Sequence, residues 1–182
     1  SKPAVHGNDL ILTLDAEVQQ AAEAAMDGRR GAIVALDPTN GDVLAFVSLP
    51  GFDPNRFGRG LTVAEYNELQ TDIDRPLFNR ALRGTYPPGS TVKPAIALSA
   101  LVNNTIAPTH REYCPGYWRM PKVTRPWTEG RGGVHGHVDM RDAIARSCDV
   151  YFYDLAHTLG VDKMSDFLAS FGFGRESGID IP

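Results

Sequence analysis

A serine and a lysine three positions apart, Ser90 and Lys93, are the residues of this chain best suited to covalent chemistry. Pro94 follows, and a proline fits a helix only in the first turn, where its missing N–H would have had no partner. The helix therefore cannot begin much before Ser90, and the partial positive charge at its N-terminus favours an oxyanion. Lys93 would lie about 5–6 Å away on the same face. The spacing predicts a nucleophile with a base within reach.

The flanking sequence strengthens this interpretation. A rigid Tyr86-Pro87-Pro88-Gly89 loop precedes the serine, and the largely apolar run Ala95–Val102 follows the lysine. A lysine among apolar neighbours loses its proton more easily than a solvated one. The alternative is an ordinary capping serine beside an exposed lysine, which the bare Ser-x-x-Lys pattern does not exclude.

A second candidate group is Ser147-Cys148-Asp149. A serine hydroxyl between an amine and a substrate nitrogen can relay a proton. An ionised aspartate accepts hydrogen bonds but donates none. The alternative is a serine that ends one helix, followed by an aspartate that caps the next.

The residues from Pro108 to Val138 predict a long irregular loop, which needs an anchor inside a compact domain. Thiols, an imidazole and a carboxylate suit a closed tetrahedral Zn²⁺ site. The candidate ligands are Cys114, Glu129, His135 and Cys148, with His137 as a substitute for His135. The two cysteines could instead be buried thiols or a disulfide. The nearby Tyr113, Tyr117, Trp118 and Trp127 are expected to pack this loop, with a substrate groove as the alternative.

Composition excludes some classes of function. The chain has 182 residues and a net charge of −4, and no basic stripe points to nucleic acid. Its longest apolar run is too short to cross a bilayer. We expect residues 1–9 to be the end of a linker and residues 10–182 to form one domain with a real core.

The remaining patterns predict the elements that position these residues. They indicate an α+β domain with a helix, an antiparallel hairpin and then a mostly helical block. Asp15 begins the first helix, Asn40-Gly41 turns the hairpin, and Thr62 and Glu65 form a capping box. Residues 50–61 are predicted to be loop and Arg175–Pro182 to return towards a strand. The predicted helices are Ala16–Met26, Val63 to about Leu69, one from Ser90, Met140–Arg146, Val150–Leu159 and Asp162–Phe171 (capped by Asp162), and the strands are Gly31–Asp37 and Val43–Leu49.

Two longer motifs resemble a known family. Tyr86-Pro-Pro-Gly-Ser-Thr-Val-Lys-Pro94 and Ser147-Cys-Asp-Val-Tyr-Phe152 resemble the active-site motifs of class B penicillin-binding proteins, the peptidoglycan transpeptidases. The likeness is greatest to the elongation-type branch, and it continues through Phe171-Gly-Phe-Gly174. It implies a penicillin-binding/serine β-lactamase-like fold, with a five-stranded antiparallel sheet packed by helices beside an all-helical lobe. This chain would supply two strands and the lobe.

The resemblance also implies roles. Lys93 as a free amine would take the proton of Ser90, which attacks the carbonyl between two D-alanines, with Ser147 and Asp149 completing the catalytic group. β-Lactams would acylate Ser90. No cofactor is needed for this chemistry, although some members of the branch are thought to carry a structural zinc. The chain contains no Lys-Thr-Gly or Lys-Ser-Gly sequence, the third family motif, so we expect little activity from it alone.

Partners and location are further implications of the family. We expect D-Ala-D-Ala stem peptides, an amine acceptor, a SEDS-type glycan polymerase and rod-complex proteins as partners. A membrane anchor would hold the protein at the periplasmic face of the bacterial inner membrane, where oxidising conditions would favour the disulfide. The alternatives are a serine β-lactamase or β-lactam sensor of the same fold, and a non-catalytic cell-wall scaffold.

Overall fold

The computed structural model describes residues 3, 5, 7–130 and 133–179. They form two compact units that divide between Tyr86 and Pro87. Each unit has a hydrophobic core of its own.

The first unit is built on an antiparallel hairpin of β1 (Gly31–Leu36) and β2 (Val43–Leu49). Helix α1 (Ala16–Met26) begins at Asp15, whose carboxylate accepts hydrogen bonds from two free N–H groups of the first turn. The buried side chains of α1 lie in one cluster with those of β2. The helix and the hairpin are confirmed, and β1 ends at Leu36, one residue before the predicted end at Asp37.

Three shorter helices complete this unit: α2 (Asn55–Gly58), α3 (Val63–Thr71) and α4 (Arg80–Arg83). The predicted capping box is present, and α3 extends two residues beyond the predicted end at Leu69. Residues 50–61 are not loop throughout, because α2 forms a single turn within them.

The second unit is largely helical. A 3₁₀ turn (Gly89–Val92) leads into α5 (Lys93–Val102), and α6 (Met140–Ala145), α7 (Asp149–Leu159) and α8 (Val161–Ala169) follow. Helix α7 lies at the centre, and its buried aromatic and aliphatic side chains share one core with those of α5 and α6. Burial raises the pKa of the Tyr151 hydroxyl in this core to about 12, so the hydroxyl stays neutral.

The predicted irregular loop between Pro108 and Val138 contains two small antiparallel ladders. Strand β3 (Glu112–Cys114) pairs with β6 (Gly136–Val138), and β4 (Tyr117–Trp118) pairs with β5 (Trp127–Thr128). The prediction is wrong here because strands of two or three residues are too short to show alternation in a sequence.

Helix α8 also differs from its prediction. It begins at Val161 after Gly160, so Asp162 lies in the first turn and is not the N-cap, and it ends at Ala169 rather than Phe171. No strand forms over residues 175–179, and the rest of that predicted segment lies outside the described residues. None of the helices in the described part of the chain is long and apolar enough to span a membrane.

Candidate active site

Ser90 lies in the 3₁₀ turn that runs into α5, at the helix N-terminus as predicted. Gly89 precedes it with a φ of 58°, a left-handed conformation that side chains disfavour. Pro94 is the second residue of α5, where a proline removes no helical hydrogen bond. The local sequence thus fixes where the serine hydroxyl lies.

Ser90, Lys93 and the distant Ser147 form one hydrogen-bonded chain of side chains. The hydroxyl of Ser147 donates to Ser90 Oγ at 2.9 Å. Lys93 Nζ donates to Ser147 Oγ at 3.0 Å and to the Ser147 carbonyl at 2.7 Å. A path for a proton therefore runs from Ser90 through Ser147 to Lys93.

This geometry corrects two expectations about Lys93. Its Nζ makes no hydrogen bond to Ser90 among the described residues, and Ser147 stands between them. Lys93 is buried, but its surroundings are not purely apolar, because Asp149 Oδ1 lies 2.5 Å from Nζ as an ion-pair partner. The Phe152 ring also faces the amine, with its centroid 5.5 Å away.

Ser147 itself adopts a left-handed conformation, with a φ of 53° in the turn between α6 and α7. A non-glycine residue in such a conformation costs about 1–3 kcal/mol and is typical of functional sites. The backbone N–H of Ser147 donates to Ile144 at 3.1 Å, which holds this turn. The strained turn therefore places the hydroxyl between Ser90 and Lys93.

Asp149 is the first residue of α7 and uses both carboxylate oxygens. One oxygen pairs with Lys93, and the other accepts a hydrogen bond from the Gly130 N–H at 3.1 Å. The side chain does not cap α7, since the N-cap is Cys148. The alternative of a merely helix-capping aspartate is therefore wrong.

The Glu129 side chain accepts hydrogen bonds from the backbone N–H groups at the start of α7. Its Oε1 accepts from the Asp149 N–H at 2.8 Å, and its Oε2 accepts from the Val150 N–H at 3.2 Å. These donors have no partner inside the helix, and a carboxylate at a helix N-terminus is electrostatically favourable. No local pattern predicts this role, because 20 residues separate Glu129 from Asp149, the first residue of the helix.

The four predicted metal ligands meet beside this helix start. The ligand atoms of Cys114, Glu129, His135 and Cys148 all lie within 4.8 Å of one another. The Sγ atoms of the two cysteines lie 3.5 and 3.6 Å from Glu129 Oε2, and both thiols are free and buried, not joined as a disulfide. His137 is outside the group, because its ring packs against Tyr113.

The chemistry of this group fits a metal ion. His135 Nδ1 is buried without a hydrogen-bond partner in the described part of the chain, 3.9 Å from Glu129 Oε2. Two sulfur atoms, a nitrogen and an oxygen form a donor set that zinc accepts. Burial raises the pKa of the Cys148 thiol to about 12, so a thiolate there needs a compensating cation.

Ser90, Ser147 and Asp149 line a cavity of about 520 Å³. Glu129, His135 and Arg146 also line it, so the two serine hydroxyls and two of the four candidate ligands border the same cavity. This volume is in the range of small-molecule sites.

The aromatic residues of the loop pack elsewhere. The Trp118 and Trp127 rings lie 6.4 Å apart and both contact Tyr153 of α7. None of these three residues lines the cavity that contains Ser90. Loop packing, the expected role, is what the structure supports.

The sequence model of the family described as "Penicillin binding protein transpeptidase domain" matches residues 31–182. The chain belongs to this family. Peptidoglycan D,D-transpeptidase MrdA of Acinetobacter baumannii is 44% identical over 181 residues, which are 100% of this chain and 27% of that protein. The chain therefore spans little more than a quarter of this curated relative.

Two solved structures of penicillin-binding proteins from the elongation-type branch are similar. Pseudomonas aeruginosa PBP2 in complex with WCK 5153 gives a TM-score of 0.86 at 50% identity, over 93% of this chain and 37% of that one. The complex of PBP2 and MreC from Helicobacter pylori gives a TM-score of 0.82 at 33% identity, and the match covers 89% of this chain and 30% of that one. The predicted fold and the resemblance to the elongation-type branch are confirmed.

Proposed function

We propose that the full-length protein is a serine peptidoglycan D,D-transpeptidase that cross-links stem peptides during cell elongation. The observation that supports this most is the hydrogen-bonded chain from Ser90 through Ser147 to Lys93. Membership of the penicillin-binding transpeptidase family and the name of the Acinetobacter baumannii relative agree with it.

In the acylation step, Ser90 Oγ attacks the carbonyl carbon between the two terminal D-alanines of a stem peptide. Ser90 gives its proton to the Ser147 hydroxyl, and Ser147 gives its own proton to Lys93, which enters the step as a free amine. The new Oγ–C bond forms, the C–N bond breaks, and the departing D-alanine amine takes a proton back along the same path. The backbone N–H of Ser90 would stabilise the oxyanion together with a second N–H.

In the transfer step, the amine of a neighbouring stem peptide attacks the ester carbonyl carbon. The C–Oγ bond breaks, the attacking amine gives up one proton, which reaches Ser90 Oγ through Lys93 and Ser147, and a new amide remains as the cross-link. Asp149 Oδ1, 2.5 Å from Lys93 Nζ, positions this amine in both steps, as a hydrogen-bond acceptor while the amine is neutral and as an ion-pair partner once it is protonated. A β-lactam would follow only the first step and leave Ser90 acylated.

The test is covalent labelling of the full-length protein by a fluorescent penicillin. We expect Ser90→Ala to abolish labelling. Ser99→Ala is the matched control, because it removes a buried hydroxyl of α5 that has no partner in the described part of the chain. Full labelling of the Ser90 variant would overturn the proposal. The isolated 182-residue chain is expected to label poorly, since it has no Lys-Thr-Gly sequence.

The lifetime of the labelled protein separates the alternatives. A transpeptidase keeps the penicilloyl ester for long times, whereas a β-lactamase releases it in rapid turnover. A non-catalytic scaffold predicts that cross-linking in cells is unchanged by Ser90→Ala in the full-length protein. Neither alternative is favoured by a particular contact in the described residues.

We propose, secondly, that Cys114, Glu129, His135 and Cys148 bind a structural Zn²⁺. Two observations support this proposal. The ligand atoms of the four residues lie within 4.8 Å of one another, and the buried His135 Nδ1 has no hydrogen-bond partner among the described residues. Such an ion would join the loop after α5 to the start of α7. Metal analysis of full-length protein purified without chelator should give about one zinc per chain. A content near zero would exclude the site.

We propose, thirdly, that the full-length protein works at the periplasmic face of the inner membrane with rod-complex proteins and a SEDS-type glycan polymerase. The complex of PBP2 and MreC from Helicobacter pylori, which is similar to this chain, supports a rod-complex partner. Co-purification of the tagged full-length protein with MreC and the polymerase from membranes tests this, and their absence would contradict it.

A further inference from the structure

A second cavity of about 340 Å³ lies in the helical unit and includes none of the residues of the candidate active site. One wall is a face of α7 with the helical spacing of Tyr151, Asp154, Leu155 and Thr158. The segments after α5 and around β3 form the remaining wall, through Thr105, Ile106, His110 and Glu112.

Two buried hydroxyl groups at this cavity have no hydrogen-bond partner in the part of the chain that the structure describes. They are Tyr151 Oη and Thr105 Oγ1. Tyr151 is the more buried residue, with only 1% of its surface exposed. Buried hydroxyls are normally paired, because an unpaired one loses its hydration without compensation. A polar group that enters the cavity would supply the missing partners.

Two carboxylates give the cavity its charge. Glu112 Oε1 pairs with His110 Nε2 at 2.6 Å, and Asp154 Oδ1 accepts from Trp118 Nε1 at 3.1 Å. Among the described residues, the second oxygen of each carboxylate makes no hydrogen bond, and no lysine or arginine lines the cavity. The occupant that this arrangement favours is therefore a cation with several N–H donors.

We propose that this cavity binds a guanidinium group carried on a short alkyl chain. A guanidinium presents five N–H donors in one plane, enough for two carboxylates and two hydroxyl acceptors. The apolar side chains of Ile106 and Leu155 line the same cavity and would contact the alkyl chain. Such a group comes either from an arginine side chain of a polypeptide or from a free alkylguanidine.

Equilibrium dialysis of the full-length protein tests this with two probes, agmatine and the peptide acetyl-Gly-Arg-Gly-amide. The neutral control is the same peptide with citrulline, which keeps the shape and loses the charge. We expect at least one guanidinium probe to bind at least tenfold more tightly than the citrulline peptide. Equal binding of the probes and the neutral control would overturn the proposal.

The variants Asp154→Asn and Tyr151→Phe locate the binding. Asparagine still accepts a hydrogen bond from Trp118 but removes the charge, and phenylalanine removes only the hydroxyl. Each substitution should therefore weaken binding of the guanidinium probe at least tenfold. Asp162→Asn, at an exposed position of α8, is the matched control and should leave binding unchanged. Thermal melting checks that both variants are folded. Unchanged binding in both would contradict the assignment to this cavity.

The two probes distinguish the sources. Binding of the peptide at least as tight as that of agmatine indicates an arginine side chain from a protein, whereas binding of agmatine alone indicates a free small cation. If neither probe binds more tightly than the citrulline peptide, the cavity does not recognise guanidinium.

Discussion

Ser147 connects the serine and the lysine of the Ser-x-x-Lys motif through hydrogen bonds. It donates to Ser90 and accepts from Lys93, and its strained backbone holds it between them. The serine and lysine were predictable from their spacing and from the proline after them. The ion pair of Lys93 with Asp149 was not predictable, because 56 residues separate the two and no local sequence pattern indicates that they are in contact.

The substitution Lys93→Arg tests whether residue 93 must change its protonation state. Arginine keeps the positive charge but does not give up its proton in proteins, so it cannot receive the proton of Ser90. We expect acylation by penicillin in the full-length protein to fall by about 10²–10⁴-fold, the usual contribution of acid–base catalysis. Stopped-flow or quenched labelling measures the rate.

Lys163→Arg is the control for this substitution, because Lys163 is exposed on α8. Its acylation rate should match that of the unaltered protein. An unchanged rate in Lys93→Arg would show that the charge, and not proton transfer, is what residue 93 supplies.

At the level of elements, the start of α7 depends on a carboxylate far away in the sequence. Glu129 accepts from the N–H groups of Asp149 and Val150, while the N-cap residue Cys148 makes no side-chain cap hydrogen bond. Glu129 therefore belongs to the candidate metal-ligand group and also binds the backbone of Asp149, whose side chain pairs with Lys93.

The substitution Glu129→Gln tests this coupling. A glutamine amide turns one acceptor into a donor, so one buried N–H of α7 loses its partner at a cost of about 1–3 kcal/mol. We expect a lower melting temperature of the full-length protein, measured in the presence of a chelator so that only the hydrogen bonds differ.

Glu176→Gln, at an exposed position, is the control and should leave the melting temperature unchanged. A melting temperature of Glu129→Gln equal to that of the unaltered protein would mean that α7 does not need this carboxylate.

The capping box of α3 gives a pH-dependent prediction. Hydrogen bonds from the Thr62 backbone and hydroxyl, with a smaller contribution from Arg56, lower the pKa of Glu65 from its ordinary value of 4.5 to about 2. A lowered folded-state pKa stabilises the fold above the unfolded value, so this contribution is complete above pH 4.5 and is lost as the pH falls towards 2. NMR titration of the labelled Glu65 carboxyl measures the midpoint.

Thr62→Val removes the hydroxyl and keeps the backbone N–H, so the midpoint of Glu65 should rise but remain below 4.5. A midpoint at 4.5 in the unaltered protein would contradict the capping box.

Elements with strong local signals were predictable, and those held by distant contacts were not. Asp15, the Asn-Gly turn and the Thr62–Glu65 box each specify an element within a few residues. The ladders of β3–β6 and β4–β5 are too short for periodicity, and their strands pair across loops.

On the scale of the whole molecule, the proposed metal site would anchor the long segment before α6 in addition to its two short ladders. Its ligands come from β3, the segment after β5, the segment before β6 and the N-cap of α7. A site that joins so many segments stabilises the folded state, because an ion bound only to that state shifts the unfolding equilibrium.

We therefore expect a strong chelator to lower the melting temperature of the full-length protein. The same chelator should have little effect on Cys148→Ser, which has already lost a thiolate ligand. A chelator effect of the same size in both proteins would place the stabilising metal elsewhere. Differential scanning calorimetry records both transitions.

The measurement that tests the proton path most directly is the rate of penicillin acylation of full-length Ser147→Ala. Alanine leaves Ser90 and Lys93 in place and removes the only hydroxyl that joins them among the described residues. We predict a rate lower by about 10²-fold or more, as for the loss of an acid–base group. A rate within twofold of that of the unaltered protein would contradict the account, because Ser90 would then give up its proton without Ser147.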